Sequence, residues 1–110
     1  MSTTPVTNPK TFTITDPAIT AENVTGFQVL FGRTSGGPYT LTAQVPTADI
    51  DAAAGTVTGT IASLESNLAA GAWFAVAEAV NAGGTSANSP EAAFTIVPPA
   101  PSAPTGFTVA

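Results

Sequence analysis

Short segments in which apolar and polar residues alternate recur along this chain, and alternation is the period of a half-buried β-strand. In Thr11–Thr15 the pattern places Phe12 and Ile14 on one face. The same period predicts five further strands, over Gly26–Arg33, Pro38–Val45, Thr56–Leu64, Trp73–Val80 and Glu91–Val97. No helical period lies between these segments. Strands at this spacing predict an all-β, antiparallel sandwich.

The most β-prone of these segments is Trp73–Val80, and the turn Asn81–Ser86 that follows supplies glycines for positive φ angles. Which face of this strand points inward stays open. One candidate inward set is Trp73, Ala75, Ala77 and Ala79, and the other is Phe74, Val76 and Val80. We favour the Trp73 set, because Glu78 belongs to the other one and an unpaired buried carboxylate is costly.

The two ends of the chain differ from its centre. Residues 1–10 are rich in Thr, Pro and Asn without any period, and they predict an extended arm. Residues 98–104 contain four prolines, which are typical of a stiff spacer of the polyproline type. Alternation then returns in residues 105–110, with Phe107 and Val109 on one face. We therefore predict an arm over 1–10, a sandwich over 11–97, a linker over 98–104 and a final strand over 105–110.

Composition narrows the chemistry that the chain can perform. Two cations oppose seven acids, for a net charge of −5, so neither nucleic acid nor an anionic membrane surface is an expected partner. The chain has no cysteine and no histidine, which excludes disulfides and histidine-based proton transfer. The spacing of the carboxylates suggests no catalytic cleft. We expect no enzymatic activity, no catalytic residues, no cofactor and no metal.

The sequence also bears on where the chain is found. The first ten residues contain no basic stretch followed by an apolar one, so we expect no signal peptide. No run reaches the roughly 18 apolar residues that a transmembrane helix needs. We expect a soluble product that leaves the cell, if it does, by lysis or a non-classical route.

Four segments, in order, carry a resemblance to a known module. They are Gly26–Val29, Ser35–Leu41, Leu68–Gly71 and Ala79–Ser86. Together they resemble a fibronectin type III module, at strand C, the C–C′ turn, the E–F corner and the F–G loop. The resemblance spans residues 11–97 and implies an immunoglobulin-like sandwich of about seven strands. Phe74 or Trp73 stands where the family has its corner tyrosine, so the hydroxyl that would bond the backbone is missing.

The resemblance places Thr11–Thr15 at strand B and finds no strand A before it. Ala103–Val109 resembles strand A, with the proline-rich lead-in of tandem modules. The module is therefore expected to be out of phase, with its A strand at the C-terminus. The expected donor residues are Pro104, Gly106, Phe107 and Val109, and the expected acceptor residues are Phe12 and Ile14.

Two arrangements would fill the position of strand A. The tail could fold back onto its own body, or it could enter a neighbouring subunit. A third possibility is that the tail docks on some other protein. We favour the neighbour, because folding back needs the linker over residues 98–104 to run nearly straight, at about 22 Å, and to wrap round the rim of the sandwich. A donated strand of this kind builds a head-to-tail assembly.

These inferences predict a non-enzymatic structural subunit of an extracellular filament or of a virion, for example a phage head or tail decoration protein. Its partners would be copies of itself or other virion or surface proteins. The alternative is an adhesion or carbohydrate-binding accessory module. That class presents exposed aromatic side chains on one face, and here only Tyr39 and Trp73 are candidates.

Overall fold

A computed structural model describes residues 6–110, and in this part of the chain strands dominate. The strands are β1 (Val6–Thr7), β2 (Thr11–Thr15), β3 (Gly26–Gly32), β4 (Tyr39–Gln44), β5 (Ile50–Asp51), β6 (Thr56–Thr60), β7 (Gly71–Asn81), β8 (Gly84–Thr85) and β9 (Ala92–Ile96). One turn of 3-10 helix, Thr47–Asp49, and one short α-helix, α1 (Ile61–Leu64), interrupt them. The prediction of an all-β fold with antiparallel sheets is confirmed.

The strands form two sheets. The larger sheet has the order β1-β9-β7-β3-β4, and β8 pairs with one end of β7. Its neighbours are antiparallel except for β1, which runs parallel to β9. The smaller sheet has the order β2-β6-β5 and is antiparallel throughout.

One core contains residues of both sheets. Its buried members are Ile19, Phe27, Val29, Phe31, Ala43, Val45, Val57, Trp73 and Phe94. Phe31 and Phe94 meet edge to face, with ring centroids 6.1 Å apart and planes at 89°. Such a contact adds to the hydrophobic gain of burying both rings. The inward alternation predicted for β3 is therefore observed at three successive apolar positions.

The open question about the inward face of β7 is answered by two side chains. Trp73 is buried in the core, whereas Glu78 accepts a hydrogen bond of 2.6 Å from Gln28 Nε2. Gln44 Nε2 donates in turn to Gln28 Oε1, so a polar row crosses β4, β3 and β7. Val76 is also buried, although it belongs to the same set as Glu78. Val76 lies opposite Leu30 of β3, so an apolar pair stands next to the polar row on the same face of the sheet.

Three stretches differ from their predictions. The strand predicted over Thr56–Leu64 ends at Thr60, because Thr60 Oγ1 accepts from the Ser63 N–H and caps α1. The connection over residues 46–55 contains β5 and the 3-10 turn. The predicted arm over residues 1–10 is a strand in part, since β1 pairs with β9. Its first five residues lie outside the described ones.

The tail extends away from the two sheets. Residues 97–110 are exposed throughout and contain no strand, so the strand predicted over 105–110 does not form within the single chain. The molecule accordingly measures 75 × 28 × 27 Å along its principal axes. Within residues 6–110, no helix has the length and apolar character needed to cross a membrane.

Candidate assembly site

A partly open cavity of about 430 Å³ lies between the two sheets beside β2. All five residues of β2 line it, together with Phe31 and Phe94 of the larger sheet. Ile61 and Leu64 of α1 also contribute to its lining. Both predicted acceptor residues, Phe12 and Ile14, therefore lie in one groove.

The groove exists because β2 is an edge strand. β2 pairs with β6 on one side, and no strand among residues 6–110 pairs with its other side. The exposure of the core-facing side chains reflects this position. Val57 of β6 is 0% exposed, whereas Ile14, its partner on β2, is only half-buried. An edge of this kind presents unpaired backbone N–H and C=O groups beside apolar side chains.

The chemistry of the groove is apolar and uncharged. Apart from threonine and serine hydroxyls, the described residues that line it carry hydrocarbon side chains, and none is ionisable. Such a surface offers no group for acid–base chemistry and no ligand set for an ion. It suits an extended segment with small or apolar side chains, which would pair its backbone with β2 and bury alternate side chains.

The predicted donor residues lie elsewhere. Pro104, Gly106, Phe107 and Val109 are all exposed, with Phe107 at 90% and Val109 at 89%. Among the hydrogen bonds of residues 6–110, none involves a residue after Val97. The structure thus brings the two acceptor residues together but leaves the donor residues apart from them within one chain.

The tail leaves the body at the pole where β2 begins. Val97 N donates to Asn8 Oδ1 at 2.8 Å, and β2 starts three residues after Asn8. Lys10 O accepts from Ile61 N at 3.0 Å, which holds the same pole of the smaller sheet. A tail turning straight back into its own groove would therefore run parallel to β2. An antiparallel strand must enter from the Thr15 end.

A second cluster surrounds Trp73, and sequence reasoning missed it. Trp73 Nε1 donates to Ala69 O at 2.8 Å, four residues upstream. The Arg33 guanidinium lies 4.4 Å from the centre of the Trp73 ring and donates to Ala70 O at 3.0 Å. The resemblance implied only that a tyrosine hydroxyl is missing here. The Trp73 indole N–H nevertheless bonds the backbone, and the presence of an indole at this position was the available signal.

Glu91 holds the turn between β3 and β4 against the start of β9. Its carboxylate accepts from Tyr39 Oη at 2.6 Å, from Gly36 N at 2.7 Å and from Ser35 Oγ at 2.7 Å. The bond from Tyr39, followed by those from Gly36 and Ser35, holds the pKa of Glu91 below its usual value. The same carboxylate raises the pKa of Tyr39. The Tyr39 hydroxyl is therefore part of the hydrogen-bond network that holds this turn.

Replacing Glu91 by Gln is expected to remove a pH-dependent part of the stability. Because the pKa of Glu91 is lowered by folding, its contribution is present above the unfolded value of 4.5 and is lost as the pH falls through the folded pKa. Melting temperatures of both chains, measured from neutral pH downwards, should differ most at neutral pH and converge in acid. The matched control is Glu22→Gln, since the exposed Glu22 carboxylate makes no hydrogen bond among the described residues. A constant gap between wild type and Glu91→Gln at all pH values would contradict the prediction.

Comparison with known proteins identified no relative of this chain. No family model, no curated protein and no solved structure matches the chain. Within residues 6–110, His, Cys, Asp and Glu also form no group of three that could hold a metal ion. The groove, the edge strand β2 and the tail are therefore the features that bear on the function of the protein.

Proposed function

We propose that this chain is a structural subunit that assembles head to tail, by inserting residues 105–110 of one copy beside β2 of the next. In this proposal the two sheets form a fibronectin type III-like sandwich whose A strand comes from a neighbour. The assembled product would be an extracellular filament or part of a virion, such as a phage head or tail decoration. The proposal includes no enzymatic step, cofactor, nucleic acid or membrane.

The order of the strands supports the likeness to that family. Immunoglobulin-type sandwiches place strands A, B, E and D in one sheet and C, F and G in the other. The smaller sheet here has β2, β6 and β5 at B, E and D, and the larger sheet has β3, β7 and β9 at C, F and G. In this assignment the empty position beside β2 is that of strand A. The bond from Trp73 to Ala69 O takes the place of the family's tyrosine corner.

The observation that carries the proposal is that the same molecule has both an open apolar groove and an exposed apolar tail. Phe107 and Val109 are the most exposed large apolar side chains of the described residues, and they alternate as a strand requires. Residues 105–110 carry no side-chain charge, and neither does the lining of the groove. Burial would recover about 1.5–3 kcal/mol for each of the two side chains, before the cost of ordering the tail.

The geometry of the poles favours insertion into a neighbour. The five residues of β2 span about 17 Å, and residues 98–104 span about 22 Å as a polyproline helix. To pair antiparallel with its own β2, the tail would first have to reach the Thr15 end, and nearly the whole length of the linker would be needed to cover that distance. If the Thr15 end of β2 in a neighbouring subunit faces the tail, the tail can enter that groove without running back along its own body. Because donor and acceptor then lie at opposite poles, repetition generates an open chain of subunits.

The alternative, a carbohydrate-binding module, has less support. Such modules stack sugars on exposed aromatic rings, but Trp73 is buried beneath Arg33 and Tyr39 is half-buried and bonded to Glu91. A glycan array with no binding, together with filaments seen by negative-stain microscopy, would support the structural role.

Removing residues 98–110 is the experiment that tests the proposal. We expect the full chain to show a concentration-dependent distribution of sizes by light scattering, and the shortened chain to be monomeric at every concentration. The shortened chain should also be less stable, because its groove stays open to water. Removing only residues 105–110, which keeps the linker, should have the same effect. A full chain that is monomeric, with a shortened chain of equal stability, would contradict the proposal.

A further inference from the structure

Asn8 is in an unusual backbone conformation at the place where the tail leaves the body. Its φ angle is 48°, in the left-handed region that asparagine tolerates better than most residues. Its N–H donates to Thr95 O at 2.8 Å, and its Oδ1 accepts from Val97 N at 2.8 Å. One residue thus bonds to the chain on both sides of Ile96, the last residue of β9.

These two bonds fix the direction in which the tail departs. Val97 is the last residue of the described chain whose backbone is bonded to the body, and Pro98 and Pro99 follow it without N–H groups. The Asn8 side chain therefore stands in for the next strand residue that would continue the pairing. After Val97 the proline-rich linker leaves the body, and residues 97–110 are exposed throughout.

The same pole adjoins the Thr11 end of the chain's own groove, where a reversed tail would run parallel to β2. β2 begins at Thr11, and Pro9 contributes to the lining of the cavity. A tail that was free to reverse at Val97 would meet its own β2 within a few residues. Fold-back competes with donation at this point, because an intramolecular segment has a high effective concentration.

We infer that Asn8 is a positioning residue that directs the tail away from its own groove, so that the tail is available to a second copy of the chain. This inference rests on the proposed function, because it assigns to Asn8 the choice between the two destinations of the tail. Its loss would leave the donor strand and the groove intact but would allow them to meet within one molecule.

Cysteine cross-linking can test this directly, since the natural chain has no cysteine. Thr13 faces outward on β2, and Thr108 lies between Phe107 and Val109, so it would face outward in an inserted strand. Cα atoms of paired strand residues are about 4.5–5.5 Å apart, within the range of a disulfide. The variant carrying Thr13→Cys and Thr108→Cys should form a ladder of oligomers when oxidised. Two further variants, with Thr11→Cys or Thr15→Cys in place of Thr13→Cys, test whether the tail pairs with β2 two residues away in either direction.

Asn8→Gly added to this variant keeps the backbone angle accessible but removes the acceptor for Val97 N. We expect the ratio of intramolecular to intermolecular disulfide to rise about fivefold, the factor that one net hydrogen bond is worth. Asn8→Asp, which keeps both the acceptor and the tolerance for positive φ, should restore the ladder. The near-ultraviolet circular dichroism of Trp73 reports whether each variant keeps its core.

The outcomes separate the two claims. If Asn8→Gly gives the same ladder as the parent, or if Asn8→Asp fails to restore it, Asn8 does not direct the tail and the inference is wrong, while strand donation stands. If no register cross-links to Thr108→Cys in any background, the tail does not enter the groove and the proposed function itself fails. A parent that forms only the intramolecular disulfide would overturn both.

Discussion

Replacing Phe31 by Ala is expected to reduce the free energy of unfolding by about 3–5 kcal/mol, which is a large part of the stability of an average domain. Phe31 is 1% exposed, touches Phe94 edge to face and lines the groove. Its removal loses the ring's own burial and leaves a cavity that joins the groove already present. Water could then enter the core from the side of β2.

Urea denaturation at one dilute concentration measures this loss as a shift of the midpoint. Phe74→Ala is the matched control, since it makes the same chemical change on the neighbouring strand. Phe74 pairs with Gly32, faces away from the core and is only half-buried, so its loss should be clearly smaller. Equal effects of the two substitutions would mean that Phe31 contributes no more to the core than Phe74 does.

The strands that alternation predicted are those long enough to show a period. β2, β3, β4 and β9 each carry apolar residues at alternate positions, and the predicted ends of each strand lie within one residue of the observed ones. β1, β5 and β8 have two residues each, and so short a segment has no period to detect. Their formation depends on a partner strand that the sequence alone does not position.

The end of β6 shows a second limit. Alternation continues from Val57 through Ile61, so the sequence predicted one strand to Leu64. In the structure Thr60 caps a helical turn through its bond to the Ser63 N–H, and Ser63 Oγ donates to Thr60 O. Local side-chain bonds to the backbone thus override a pattern that reports only burial.

The candidate site could be predicted in part. Phe12 and Ile14 follow from the resemblance, which places Thr11–Thr15 at a strand B with no strand A beside it, and both line the groove. Asn8 could not be located, since its bond joins residues 89 apart in sequence and depends on where β9 ends. The donor residues follow from the resemblance alone, and within one chain none of them lines the groove.

The largest effect on assembly is expected from Phe107→Asp. If Phe107 enters the groove beside Phe12, its replacement loses about 1.5–3 kcal/mol of burial, and the carboxylate would have to leave water for an uncharged cavity. We expect the dissociation constant between subunits to rise about a hundredfold or more, since each 1.4 kcal/mol is a factor of ten. Analytical ultracentrifugation over a range of concentrations would show a monomer.

Thr108→Asp is the matched control for this prediction, because it adds the same charge one residue further along the tail. In an inserted strand residue 108 faces outward, so this variant should assemble nearly as well as the wild type. The monomeric Phe107→Asp chain still has an intact groove, and it should bind a synthetic peptide of residues 98–110 with one site per chain. A peptide carrying the same Phe107→Asp change should not bind. If the two Asp variants assembled equally, the tail would be joining subunits through its linker or its net charge, and the alternation of Phe107 and Val109 would have no part in it.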